Sequence, residues 1–127
     1  MIEILKALSD ENRLRILNLL TQQTLCVCEL EVLLDMNQSN VSRHLSKLKS
    51  AGIIVSMKEG QWVRYVIDEE FKENHQMLFT YLLDQFQTEA TCYKDFKKLR
   101  AYKTGNLTCQ MITEDKRQVI EAININI

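Results

Sequence analysis

One stretch, Asn37 to Arg64, constrains this chain more than any other. It reads NQSNVSRHLSKLKSAG and then IIVSMKEGQWVR. Val41, Leu45 and Leu48 recur at i, i+4 and i+7, the spacing of one helical face. Asn37 suits the N-cap, because its side chain can accept from the unpaired N–H groups of the first turn. Gly52 suits the stop, because glycine tolerates a left-handed conformation. The other face carries Ser39, Asn40, Arg43, Ser46 and Lys47, and no acid lies between Gln38 and Ser50. Ile53 to Val55 and Trp62 to Ile67 then read as strands around a tight Lys58-Glu59-Gly60-Gln61 turn. A helix followed by a basic hairpin is what a winged helix-turn-helix presents to duplex DNA. The expected contacts are Gln38, Ser39, Asn40, Ser42, Arg43 and Lys47 on the helix, with Lys58 and Arg64 on the wing. His44, on the helix flank, either reaches DNA or caps a core contact.

The formal net charge of −1 argues against a nucleic-acid partner until it is divided along the chain. Residues 1–37 are net −3, residues 38–67 are net +4 and residues 68–127 are net −2. The positive charge is gathered on the helix and hairpin, and a local patch steers DNA even on a near-neutral chain. No signal peptide is expected, since the N-terminus opens on an amphipathic pattern. No apolar run approaches the length of a membrane span, so no membrane partner is expected. A reducing, cytoplasmic setting follows, with the four cysteines as thiols.

Read in order, Ile2 to Leu8 forms a short helix, and Asp10 caps a second with Leu14, Ile16, Leu17 and Leu20 inward. Thr21 to Thr24 is a loop. A third helix runs roughly from Cys26 to Leu34, and Asp35-Met36 turns into the recognition helix. The fold class is mostly α with a β-hairpin wing. Asp68 to about Gln87 reads as one longer helix with the stripe Phe71, His75, Leu78, Phe79, Leu82 and Phe86. The cheapest partner for such a stripe is the same helix of a second chain, so a homodimer is expected. Residues 1–87 then make a DNA-binding domain with terminal dimerisation helices. Residues 88–127 make a helical extension: Thr91 to Arg100, a break at Gly105-Asn106, and a last helix from Thr113. Asn124 to Ile127 alternates and reads as an edge or a frayed end.

Leu25-Cys26-Val27-Cys28-Glu29-Leu30 is the second informative stretch. Thiolates are soft ligands for trivalent arsenic or antimony, zinc, cadmium or lead. A helix N-terminus lowers a thiol pKa and favours the thiolate. Residues two apart on a regular helix point about 200° apart. Cys26 and Cys28 can therefore close on one atom only if the first turn distorts. Cys92 and Cys109 are the remaining sources of a third sulfur. With only His44 and His75 present, a histidine-held zinc site is poorly supported. Nothing pairs a base with a nucleophile and no phosphate loop is present, so an enzyme is not expected.

These segments together resemble the ArsR-type (ArsR/SmtB) metalloregulatory repressors, in their arsenic-responsive branch. Lys6 to Asp10 and Arg13 to Leu17 look like the family's first helices. Leu25 to Leu30 looks like its cysteine motif, Gln38 to Leu45 like its recognition helix, and Glu59 to Tyr65 like its wing. The resemblance covers residues 2 to about 87. It implies a homodimer on two-fold operator DNA, released by As(III) or Sb(III) bound to Cys26 and Cys28, with no resident cofactor. The arsenic branch often has a third cysteine where this chain has Glu31, which favours a two-sulfur core. A cadmium or lead sensor, a thiol-redox sensor of the same fold, and a winged-helix protein-interaction module are the alternatives.

Overall fold

The computed structural model describes residues 1–124, and Ile125 to Ile127, part of the expected terminal edge, lie outside the described residues. The elements are α1 (Ile2–Leu8), α2 (Glu11–Leu20), β1 (Leu25–Cys26), α3 (Val27–Leu34), α4 (Gln38–Ser50), β2 (Ile54–Glu59), β3 (Trp62–Ile67), α5 (Glu69–Asn74), α6 (Gln76–Thr88), α7 (Ala90–Thr104), α8 (Cys109–Glu114) and α9 (Lys116–Asn124). The architecture is a winged helix-turn-helix, with helices packed around a three-stranded antiparallel sheet of order β1-β3-β2.

Local chemistry sets the boundaries. The Asp10 side chain accepts from the backbone N–H of Asn12 and Arg13 and starts α2. Asn37 accepts from Asn40 N–H and starts α4. Asp35 ends α3 in a left-handed conformation (φ 54°), which turns the chain into α4 within three residues. Gly52 (φ 78°) and Gly60 (φ 61°) sit where the chain leaves α4 and where it rounds the hairpin. Val41, Leu45 and Leu48 are fully buried beneath α4. Each such side chain contributes roughly 1.5–3 kcal/mol of burial. That inward seam leaves the opposite face of α4 in water.

Three expectations about the helices are corrected. The third helix does not begin at Cys26, because Leu25 and Cys26 pair with Tyr65 and Arg64 as a short strand. The long helix is two, broken at His75 (φ −134°, ψ 48°), with no Gly or Pro to announce it. The break lets Phe71 turn into the core. Leu82 and Phe86 are buried within this chain and not left for a second one. On α6 and α1 the open large apolar residues are instead Met77 and Tyr81, and Ile2 and Leu5, respectively.

The extension shares the core of the rest. Leu99, Tyr102, Ile112, Val119 and Ile123 are buried in one cluster with Ile16, Leu30 and Leu33. Its last part is two helices, α8 and α9: the last begins at Lys116 and not at Thr113, which belongs to α8. The joint between α2 and α7 is polar. Arg15 donates to both carboxylate oxygens of Asp95 at 2.8 and 3.0 Å, and Asn18 donates to the Cys92 carbonyl at 3.0 Å. No helix among the described residues is long and apolar enough to cross a membrane.

Candidate thiol centre and nucleic-acid interface

Cys26 stands at the N-cap of α3 with an extended backbone (φ −98°, ψ 170°). Its Cβ therefore lies off the helical wheel that carries Cys28. The expected 200° conflict disappears, and the Sγ atoms of Cys26 and Cys28 lie 3.2 Å apart with no distortion of the helix. Cys109, the first residue of α8, comes to the same place, and its Sγ touches that of Cys26. The three sulfurs all lie within 4.8 Å of one another. The Cα atoms of Cys26 and Cys109 are 7.6 Å apart. That exceeds the 4.4–6.8 Å usual for a disulfide, so the geometry suits thiols gathered around a shared ligand better than a cross-link.

This placement sets a third sulfur beside the pair for which a two-sulfur core was expected. Glu31, in the position that the resemblance gives to a third cysteine, takes Lys116 of α9 at 3.3 Å. The side chain that displaced the local sulfur helps dock the segment bearing the distant one. Cys92 is elsewhere, buried on α7, with its thiol pushed up to about 11 by burial and then by Asp95.

At Cys28 the surroundings oppose the expected thiolate. The Cys28 thiol is raised above its ordinary value, first by burial and then by the charges of Glu29 and Glu31. Glu29 went unnoticed in the sequence. It is buried at N3 of α3, where it closes a capping box by accepting the Cys26 N–H at 3.0 Å. The spacing of a small polar cap and a glutamate three residues on was the signal available. Glu29 also accepts from Tyr102 Oη at 2.5 Å and from Arg64 Nη1 at 3.4 Å.

On α4, Gln38, Ser39, Asn40, Ser42, Arg43 and Lys47 are all exposed, as is Lys58 near the hairpin tip. Arg43 donates to Asn40 Oδ1 at 3.2 Å, so the two are held side by side on that face. Arg64 is not presented as the free wing contact that was expected, and His44 takes the core-contact alternative. Arg64 pairs with Glu29 and Glu59 and is turned toward the thiol cluster. His44 is 4% exposed, and its Nδ1 sits 3.2 Å from Arg13 Nη1. Arg13 is a permanent donor, so Nδ1 must accept, which requires a neutral ring.

Burial lowers the His44 pKa. Asp10 pulls it back, and Arg13, Arg43 and Lys47 push it further down. The sign follows from the folded value lying below the unfolded one. The stability of the neutral ring is complete above about pH 6.5. It is lost as pH falls from there through the lowered folded value. Urea midpoints are therefore expected to fall between pH 7 and 5, with a flatter profile for His44→Gln. Equal slopes in the two proteins would remove His44 as the cause.

Helix and hairpin over a packed α2–α3 pair make a winged helix-turn-helix regulator fold. The profile described as "Bacterial regulatory protein, arsR family" matches residues 10–56. The arsenical resistance operon repressor of Escherichia coli (strain K12) is 45% identical over 65 residues, 50% of this chain and 56% of that one. A cadmium resistance transcriptional regulatory protein, CadC, of Listeria innocua is 43% identical over 63 residues, 49% of this chain and 53% of that one. The solution structure of the homodimeric winged helix-turn-helix DNA-binding domain of Mb0332 from Mycobacterium bovis superposes with TM-score 0.58. It is 31% identical and covers 66% of this chain and 78% of that one. The chain belongs to the arsR family of bacterial regulatory proteins. It spans a little over half the length of the two curated relatives named.

Proposed function

We propose that this protein is a homodimeric repressor that leaves operator DNA when As(III) or Sb(III) binds Cys26, Cys28 and Cys109. The convergence of three sulfurs on the start of α3 carries the reading. As(OH)3 exchanges three As–OH bonds for three As–S bonds. The three thiol protons leave with the hydroxides as three waters, so the site's charge does not change. A Cys28 thiol raised by burial and by the charges of Glu29 and Glu31 suits that exchange. A divalent soft cation must expel the protons and add charge. A DNA-bound thiol sensor of this kind works in the reducing cytoplasm, and its role is regulatory, not enzymatic.

Residues 1–87 are read as the DNA-binding and dimerisation unit, and residues 88–127 as the extension that supplies the third sulfur. The exposed Ile2, Leu5, Met77 and Tyr81 support burial against a second copy. The exposed polar face of α4 and Lys58 support the DNA surface. Arg43→Ala is expected to weaken operator binding by about 1–3 kcal/mol if it contacts a base edge. Lys58→Ala is expected to weaken operator and scrambled duplex alike and to reduce the salt slope by about 1. Unchanged affinities for both variants across salt would sink this surface.

The test of the ligand is release of the protein from its own promoter region by arsenite, antimonite, cadmium and a thiol oxidant. Release by arsenite and antimonite at the lowest concentrations supports the reading. The likeness to CadC makes cadmium the second reading, and release by cadmium alone would move the inducer there. Release by the oxidant alone would make the cluster a redox switch.

A further inference from the structure

We infer that Glu29 is the positioning residue that carries ligand capture at the thiols to the wing, an inference that rests on the metalloid reading above. Glu29 stands outside the three-cysteine group and so is not counted among the ligands. It is nonetheless the group on which Cys26 leans. Its Oε1 accepts from Cys26 N–H at 3.0 Å, from Cys26 Sγ at 3.2 Å and from Arg64 Nη1 at 3.4 Å. Its Oε2 accepts from Tyr102. One carboxylate, 3% exposed, thus joins the thiol cluster, the extension and strand β3. Arg64 reaches on to Glu59, the last residue of β2 before the hairpin turn, at 3.5 Å. Arg64 and Cys26 are also register partners across β1 and β3.

The network has no slack. Among the described residues no buried side-chain nitrogen or oxygen lacks a hydrogen-bond partner. When Cys26 exchanges its S–H bond for S–As, the proton departs in water and Oε1 loses a donor. A buried carboxylate left short of a donor is costly. Arg64 is already bound to the same oxygen and is the donor free to move closer. Drawing it inward takes it from Glu59, which holds the end of the hairpin. The wing, with Lys58 on it, then shifts relative to α4, and the two can no longer grip the duplex together.

The experiment measures coupling directly. Operator affinity is determined with and without saturating arsenite, and arsenite affinity is determined by S–As absorbance without DNA. Wild-type protein is expected to show coupling of about 5–150-fold. Arg64→Met is expected to bind arsenite within a few-fold of wild type, and Glu29→Gln to bind it up to about 100-fold more weakly because it holds Cys26, while in both the coupling measured at saturating arsenite falls close to unity. By reciprocity, operator DNA then no longer weakens arsenite binding in them. Arg64→Lys keeps the charge and its donors on a single nitrogen, without the guanidinium fork, and is expected to restore part of the coupling. Arg64 is partly exposed, so its variant tests the relay even if loss of the buried Glu29 charge prevents folding. Variants that bind arsenite and still release DNA with wild-type coupling overturn this inference alone. A wild-type protein that does not bind arsenite overturns the ligand reading and this inference with it.

Discussion

Cys26→Ser and Cys109→Ser should each weaken arsenite binding by at least about 100-fold and abolish release at concentrations that free the wild type. Even partners outside the ligand shell cost 10–100-fold in metal affinity when removed. A donor that is itself lost costs no less. Serine keeps the size but is a poor ligand for a soft ion. The two variants separate with a monomethyl arsenical, which needs two sulfurs. Cys26 and Cys28 lie 3.2 Å apart on one turn, so Cys109→Ser retains that pair and should still respond. Cys26→Ser retains Cys28 and Cys109 across two elements and should respond poorly. Cys92→Ser should change nothing at the site, since Cys92 is buried against α2 and outside the three-sulfur group. Operator release with both ligands in all four single variants is the measurement. A full arsenite response in Cys109→Ser would return the extension to a purely packing role.

The parts of this fold that were legible are those decided by neighbours in sequence. Asp10 and Asn37 cap helices through bonds spanning two or three residues, and the strands of the hairpin meet across a turn marked by Gly60. The site turned on finer or longer information. Whether Cys26 is the first helical residue or the cap is a one-residue question, within ordinary boundary uncertainty. Yet it decides whether two sulfurs meet or diverge. Cys109 lies 83 residues from Cys26, and no local pattern reports such a contact. His44 could have been placed, since it stands one position before Leu45 and three after Val41, on the buried side of the same wheel. Arg64 could not, because its direction depends on β1 adding to the sheet opposite it.

The joint that brings Cys109 to its partners gives the second large effect. Arg15 makes a two-pronged pair with Asp95 and also donates to the Leu34 carbonyl at the end of α3 and to Asn12. The Asp95 side chain is 2% exposed. Arg15→Met leaves that carboxylate buried without its cation, a change that costs about 3–5 kcal/mol. Urea denaturation should show that loss as a lower midpoint. The same variant loosens α7, which carries Tyr102 to Glu29 and leads through Gly105 to α8 and Cys109. Arsenite affinity should therefore fall with stability, although Arg15 touches no sulfur. Adding Asp95→Leu removes the stranded charge and fills the space with apolar volume. A buried pair replaced in this way often recovers its stability. The double variant should regain most of both losses. Recovery of stability without recovery of arsenite binding would mean that the pair sets the position of Cys109, beyond merely holding α7 in place. No loss of stability in Arg15→Met would mean that α7 is held by its apolar face alone.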